Sequence, residues 1–212
     1  MPRKKREPHA DLPYHLTART NNGQWFSLPL QSVWTTMEDY LFFIHHAYEI
    51  EICAFVLMSN HFHLLVQSPQ ANLSQAMHYF MRETSRRIAY DARITNHLYG
   101  STYHPTLIRG PHHYLSAYKY VYRNPVRAQL CEKVEDYPFS TLAGLLGQQK
   151  LNIPMAEDRT LFRSVECTLE WMNTEPQPEH TEEIQRALRR PEFTHSKIGP
   201  SRKPHDLESS RY

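Results

Sequence analysis

The stretch EIEICAFVLMSNHFHLLVQ, residues 49–67, contains two apolar runs separated by the turn-like pair Ser59-Asn60. The first run, 49–58, is rich in β-branched and aromatic residues, and the second run, 61–67, resumes the same pattern. Two such runs on either side of a short polar break are typical of a β-hairpin. We therefore predict two strands joined at this break.

Periodic patterns on either side of the hairpin predict the other elements of a small domain. In chain order we predict a strand at 14–19, a helix at 33–48, the hairpin, a helix capped by Asn72 and running to 92, a strand at 102–109, and a helix at 111–130. This order predicts an α+β sandwich in which helices lie on one face of a mostly antiparallel sheet.

The composition of the chain changes after Gly147. Residues 151–212 contain six prolines, and the chain from Asn173 onwards shows no sustained apolar stripe. We predict three parts: a basic mobile arm at 1–9, a domain at 10–148, and at 149–212 an appendage with a short helix near 158–172, followed by a largely disordered tail that leaves the C-terminal part partly disordered. Truncation after Lys150 is expected to leave a folded core.

Cysteine usage and hydropathy exclude several classes of protein. Cys53, Cys131 and Cys167 are far apart and lack CxxC spacing, which excludes a disulfide scaffold and a thiolate zinc finger and fits a reducing cytoplasm. No apolar run approaches the ~20 residues that span a bilayer, and no apolar stretch follows the basic N-terminus. We expect a cytoplasmic protein with no membrane partner.

The net charge of +2 is small, but basic residues are concentrated in one region. Between Arg82 and Arg127 there are eight basic and two acidic residues, interleaved with aromatic ones. This composition suits a nucleic-acid partner, and it is equally typical of a solvated helix face.

The hairpin carries the most distinctive side chains. His61 and His63 are two apart on a predicted strand and therefore share one face, whereas Phe62 and Leu64 share the other. Two adjacent imidazoles can ligate a metal ion or contact a phosphate. Two surface histidines are the alternative interpretation, because this spacing is common by chance.

A second group of side chains lies on the predicted C-terminal helix of the domain. Tyr120 and Asn124 are four residues apart and share a helix face, so a hydroxyl and a carboxamide oxygen could enter one pocket. Pro125 removes a helical hydrogen bond beside this pair and is expected to kink the helix. Tyr118 and Tyr122 lie about 200° from Tyr120 and Asn124, respectively, and so face away. The alternative is that all three tyrosines are packing or surface residues.

Four segments, in order, resemble the HUH single-tyrosine transposases, and in particular their REP-associated tyrosine transposase branch. The sequence MSNHFHLL at 58–65 is similar to the family's "MPNHxHLL" strand, and YVYRNPVRA at 120–128 is similar to its "YIxxNPVRAG" helix. LPYHLTAR at 12–19 and DYPFST at 136–141 are similar to its first strand and closing segment. The resemblance covers roughly residues 10–145.

The resemblance implies a ferredoxin/RRM-like core that cleaves single-stranded or hairpin DNA through a 5′-phosphotyrosine intermediate, with Tyr120 as nucleophile. It implies a divalent metal ion, Mg²⁺ or Mn²⁺, held by His61, His63 and Asn124. The basic residues expected to contact DNA are Arg3, Lys4, Lys5, Arg6, Arg82, Arg86, Arg87, Arg123 and Arg127. We expect a nucleoid-associated monomer or homodimer.

Two other functions are compatible with parts of the sequence. A domesticated protein could recognise hairpin DNA sequence-specifically without strand transfer, although binding alone does not require the tyrosine, histidine and asparagine set. A two-histidine metallohydrolase is the weaker alternative, because the sequence contains no HExxH helix.

Overall fold

The computed structural model describes residues 8–95 and 97–195, and the basic cluster Arg3 to Arg6 lies outside these residues. Its centre is a four-stranded sheet of β1 (Tyr14–Arg19), β2 (Glu51–Leu57), β3 (His61–Gln67) and β4 (His104–Leu107). The strand order is β2-β3-β1-β4, and each neighbouring pair is antiparallel. The predicted hairpin is β2-β3, and the first six elements follow the ferredoxin-like order.

The described residues form six α-helices: α1 (Leu30–Tyr48), α2 (Leu73–Ala92), α3 (Pro111–Arg127), α4 (Thr141–Leu145), α5 (Val165–Asn173) and α6 (Pro178–Ala187). The α+β class and the antiparallel sheet are confirmed. The prediction that helices cover one face is wrong, because α1 and α2 pack on one face and α3 packs on the other. None of the helices within 8–95 and 97–195 is long and apolar enough to cross a membrane.

Alternation along β3 explains how one strand serves two hydrophobic cores. Phe62 and Leu64 are fully buried in the core beneath α1 and α2, whereas Leu65 is buried in the core beneath α3. His63 has the same parity as Leu65, so it points towards α3. The sheet therefore presents the histidine pair to the helix that carries Tyr120.

Asn72 precedes α2, as predicted, but its side chain does not cap that helix. Its Nδ2 donates instead to the carbonyl of Tyr48, 3.0 Å away, and its Oδ1 accepts from the Ser68 hydroxyl at 3.1 Å. Asn72 thus joins the end of α1 to the start of α2.

The prediction of a largely disordered tail from Asn173 is wrong as far as residue 195. Helix α6 and Phe193 pack into the core beneath α3, and Phe193 is fully buried. The Phe193 amide donates to the Leu107 carbonyl at 2.8 Å, so this segment is attached to β4. The apolar residues of α6 are too few to form a sustained stripe, and their burial depends on contacts distant in sequence. The remainder, 196–212, is outside the described residues.

Phe193→Ala is expected to destabilise the whole domain. Removing a fully buried aromatic side chain costs about 3–5 kcal/mol of unfolding free energy, because a cavity remains in the core. Urea denaturation of the variant measures this loss, and Phe162→Ala, at a side chain that is 57% exposed, is the matched control. A loss below about 1 kcal/mol for Phe193→Ala would show that the C-terminal segment does not support the core.

The burial of Phe193 and α6 also changes the expectation for truncation after Lys150. Because these residues complete the core beneath α3, the truncated protein should unfold rather than remain folded.

Gln129, which follows α3, has a φ of 58°. A non-glycine residue in this left-handed region is strained by roughly 1 kcal/mol, and glycine relieves most of that cost. Gln129→Gly is therefore expected to leave stability unchanged or raise it by up to about 1 kcal/mol. The same substitution at exposed Gln75 in α2 should lower stability by about 1 kcal/mol. Thermal unfolding measures the stability of both variants, and an equal loss of stability in Gln129→Gly and Gln75→Gly would contradict this explanation.

Candidate active site

The site is built from one face of three neighbouring strands. His63 of β3 lies directly across from Thr17 of β1, and Thr17 lies across from His104 of β4. His61 lies across from Arg19 in the same way. A cavity of about 380 Å³ opens over this face. Its lining also includes Tyr120 and Arg127 of α3, together with Gln185, Leu188 and Arg189 from α6 and the residues that follow it.

The two histidines predicted to bind metal are held by hydrogen bonds at Nδ1. His61 Nδ1 is 2.7 Å from Asn60 Oδ1, and His63 Nδ1 is 2.9 Å from His15 Nε2. The His61 and His63 ring centroids are 5.0 Å apart. Because both Nδ1 atoms are engaged, Nε2 is the nitrogen of each ring that can ligate a metal ion.

Electrostatics keep these imidazoles neutral. Burial, with smaller contributions from Arg19 and Arg127, lowers the pKa of His61 to about 4. Burial also holds the pKa of His63 well below its usual value, helped by the neighbouring His15 and His61. His15 is itself buried, and its pKa is lowered to about 3. Neutral imidazole is the form that can ligate a metal ion.

Tyr120 projects from α3 towards the histidines. Its ring centroid is 5.7 Å from that of His63, with the two rings perpendicular. Arg127 Nη2 donates to the Tyr120 hydroxyl at 3.2 Å, and the guanidinium carbon lies 5.0 Å from the ring centroid. The phenol oxygen is therefore next to a fixed positive charge, which favours negative charge developing on that oxygen.

Asn124 is buried directly behind the tyrosine, and its side chain folds back onto α3. Its Nδ2 donates to the Tyr120 carbonyl at 2.8 Å, and its Oδ1 accepts from Arg127 Nη2 at 3.1 Å. Asn124 lines an adjoining groove together with Tyr120 and Arg127, whereas the histidines line the first cavity. The structure thus brings Tyr120, His61 and His63 to one cavity. Asn124 is linked to Tyr120 by Arg127, which donates hydrogen bonds to both side chains.

Tyr118 and Tyr122 face away from this cavity, as their helical phase predicts. Both are buried in the core beneath α3. The Tyr118 hydroxyl donates to Asp158 Oδ2 at 2.7 Å, and the Tyr122 hydroxyl is 3.0 Å from Thr141 Oγ1. Burial raises the pKa of both phenols well above the usual value. Their hydroxyls stabilise the core and do not reach the histidines.

The predicted DNA-contacting arginines are placed in three different environments. Arg127 lines the cavity, whereas Arg123 donates to the carbonyls of Met172 and Asn173 at the end of α5. The α2 arginines, Arg82, Arg86 and Arg87, lie on the opposite side of the sheet and pair with Glu83 or Asp91. The structure therefore does not bring the α2 cluster to the tyrosine.

Several residues of the site were not predicted from the sequence, among them His15, Arg19 and Arg189. The first two share a face with Thr17 because they alternate along β1, and this period-two spacing was available as a signal. Arg189 lies about 70 residues beyond Tyr120, and no local pattern indicates that it lines the same cavity. All three arginines of the cavity, Arg19, Arg127 and Arg189, lie around the histidine pair.

The donor set fits a divalent metal ion. Neutral imidazole nitrogens suit Mn²⁺ and other first-row ions, and a carboxamide oxygen suits Mg²⁺ or Mn²⁺. In the part of the chain that the structure describes, no three His, Cys, Asp or Glu side chains are arranged to hold a metal. The third ligand expected from the sequence, Asn124, is of a different type.

A tyrosine hydroxyl, two paired imidazoles and guanidinium groups thus lie around one cavity. The family model described as IS200-like transposase matches residues 9–124, which is more than half of the chain. The chain therefore belongs to the IS200-like transposase family, and the resemblance drawn from its motifs is confirmed.

One solved structure agrees on the fold. The chain is similar to a REP-associated tyrosine transposase bound to a REP hairpin, with a TM-score of 0.57 and 18% identity over 74% of this chain and 93% of that chain. A second structure, assigned as a transposase from Deinococcus radiodurans R1, gives a TM-score of 0.39 and 18% identity over 60% of this chain and 92% of that one. No curated protein matches the sequence.

Proposed function

We propose that this protein is a REP-associated tyrosine transposase that cleaves and transfers single-stranded DNA through a 5′-phosphotyrosine intermediate. The observation that supports this most directly is the placement of Tyr120 against His63, with Arg127 on the phenol oxygen. A binding protein has no need for a hydroxyl held in this way.

In the proposed reaction, the Tyr120 oxygen attacks the scissile phosphorus while the bond from phosphorus to the 3′ oxygen breaks. The phenol loses its proton, and the departing 3′ oxygen gains one, so cleavage leaves a 3′-hydroxyl and a 5′-phosphotyrosine. Arg127 stabilises negative charge on the phenol oxygen during attack and again when that oxygen is the leaving group in strand joining. Because the phosphate ester retains the bond energy, joining requires no external energy source.

His61 and His63 would hold the divalent ion through Nε2, with Asn124 Oδ1 as the third ligand. That oxygen accepts a hydrogen bond from Arg127 and retains a second lone pair for a metal ion. When bound, the ion supplies positive charge that neutralises the non-bridging phosphate oxygens and orients the phosphate. Asn60 and His15 keep the two ligating rings in place.

The proposed substrate is a DNA hairpin with adjoining single strands. The structurally similar transposase is bound to a REP hairpin. Arg19, Arg127 and Arg189 line the cavity beside Tyr120, and each can contact a phosphate of one strand.

Incubation with end-labelled hairpin oligonucleotides and Mn²⁺ tests the proposal. Hairpins of varied sequence with single-stranded flanks are mixed with the 212-residue chain and resolved on denaturing gels. We expect a covalent protein–DNA adduct that depends on the metal and is removed by protease. Binding to a hairpin without any adduct would instead identify a hairpin-binding protein.

DNA affinity should depend on salt through the cavity arginines. Each phosphate contact to a single strand changes the slope of log K against log salt by about −0.7, so Arg127→Gln should make that slope shallower by about 0.7. Arg86→Gln, on the opposite side of the sheet, is the matched control and should leave the slope unchanged. Anisotropy titrations over a range of salt concentrations measure both slopes. An equal change in Arg86→Gln would show that the DNA also crosses α2.

A further inference from the structure

A second cavity of about 820 Å³ lies between α3 and the segment that contains α5 and α6. Tyr120, Arg127 and Gln185 line both this groove and the catalytic cavity, so the two spaces meet at the proposed nucleophile. The C-terminal wall of the groove lies beyond residue 124, where the family match ends. The proposed reaction gives no role to the wall of the groove that is formed by α5, α6 and the residues between them.

In the groove a positive charge lies over the face of an aromatic ring. Lys119 Nζ lies 5.1 Å from the centroid of the Trp171 ring, and both side chains are half-buried. Arg123 donates to the carbonyls of Met172 and Asn173 at 2.9 and 2.8 Å, which fastens α5 to α3 and holds Trp171 opposite Lys119. The pair is therefore formed before any ligand binds.

The charge of Lys119 is not balanced by the protein. No carboxylate in the described part of the chain forms an ion pair with it, and its ammonium group lies over the Trp171 ring. Burial, and then the nearby Arg123, lowers the pKa of Lys119 to about 8. An anionic ligand in the groove would supply the missing negative charge. Two exposed acidic residues also line the groove, but one of them, Glu182, is already paired with Arg186 at 2.8 Å.

We propose that this groove binds a nucleotide of single-stranded DNA next to the scissile phosphate, with the base against Trp171 and the phosphate on Lys119. The inference rests on the proposed function, because a strand bonded to Tyr120 must continue into a space that borders Tyr120. An indole face with an adjacent cation is the arrangement by which proteins stack unpaired bases without reading their sequence. The C-terminal segment is thus part of the DNA channel as well as part of the core.

Equilibrium binding measurements distinguish the contribution of this groove from that of the hairpin-binding site. The probes are a fluorescein-labelled hairpin with an oligothymidylate flank and the same hairpin with a blunt end. In the wild-type protein the flank should strengthen binding about tenfold, the typical contribution of one stacked base. That gain should be lost in Trp171→Ala and reduced severalfold in Lys119→Gln. Tyr90→Ala, at an exposed aromatic side chain on α2, should retain the full gain.

Crosslinking gives a second measurement that does not require a variant to fold. A flank containing 5-iodouracil should, on irradiation, form an adduct with wild-type protein that maps to the peptide containing Trp171. An undiminished gain in Trp171→Ala, or a crosslink that maps only elsewhere, would overturn the groove assignment. If the flank strengthens binding to the wild-type protein, Trp171→Ala loses this gain, and the wild-type protein cleaves no DNA, the groove assignment is supported and the proposed chemistry is refuted. If the wild-type protein cleaves DNA but the flank does not strengthen binding, the proposed chemistry is supported and the groove assignment is refuted.

Discussion

Tyr120→Phe is expected to eliminate the covalent DNA adduct and to reduce cleavage by at least about 10⁴-fold, to background. The substitution removes one oxygen from the ring beside His63 and retains the ring itself. Hairpin affinity and Mn²⁺ affinity should be nearly unchanged, because the groups that provide them remain. Denaturing gels measure the adduct, and anisotropy measures hairpin affinity on the same protein preparation.

Tyr118→Phe and Tyr122→Phe are the matched controls on the same helix. Both hydroxyls are buried and bonded, to Asp158 and Thr141, so each change should lower the free energy of unfolding by about 1–3 kcal/mol. Both variants should still form the adduct below their unfolding temperatures. An adduct that persists in Tyr120→Phe, or that vanishes only in Tyr118→Phe, would place the nucleophile on another face of α3.

His63→Ala should have the second largest effect. It removes one of the two imidazoles that would hold the metal, so Mn²⁺ affinity should fall by at least about 100-fold, more than the usual cost of losing a residue that only supports a ligand. Cleavage should fall to background at Mn²⁺ concentrations that saturate the wild-type protein. His61→Ala should behave alike, because both rings line the same cavity.

Electron paramagnetic resonance of free Mn²⁺ measures this affinity without reference to activity. His78→Ala is the control, since His78 is exposed on α2 on the other side of the sheet. Unchanged Mn²⁺ binding in both His61→Ala and His63→Ala would show that the pair contacts phosphate rather than metal. Near wild-type cleavage in either variant would refute the ligand assignment altogether.

The elements nearest the site were predictable because their patterns are local. The hairpin follows from two β-rich runs and a polar break, and the parity of His61 and His63 follows from strand geometry alone. Likewise, helical phase separates Tyr120 from its two neighbours, and the hydrogen bonds of Tyr118 and Tyr122 confirm that separation.

The parts that could not be predicted depend on contacts distant in sequence. Burial of Phe193 against β4, and of α6 against α3, arises only when the sheet is already formed. Arg189 reaches the cavity beside Tyr120 for the same reason. The basic α2 residues could not be located from their spacing, because charge density does not show on which side of a sheet a helix packs.

Identification of the tyrosine that carries the DNA tests the account most directly. The adduct formed with a single-stranded hairpin substrate and Mn²⁺ is digested with protease and nuclease, and the modified peptide is sequenced by mass spectrometry. We predict a nucleotide attached through its 5′-phosphate to Tyr120. Attachment to any other residue, or a 3′-phosphate linkage, would contradict the proposed site and its chemistry.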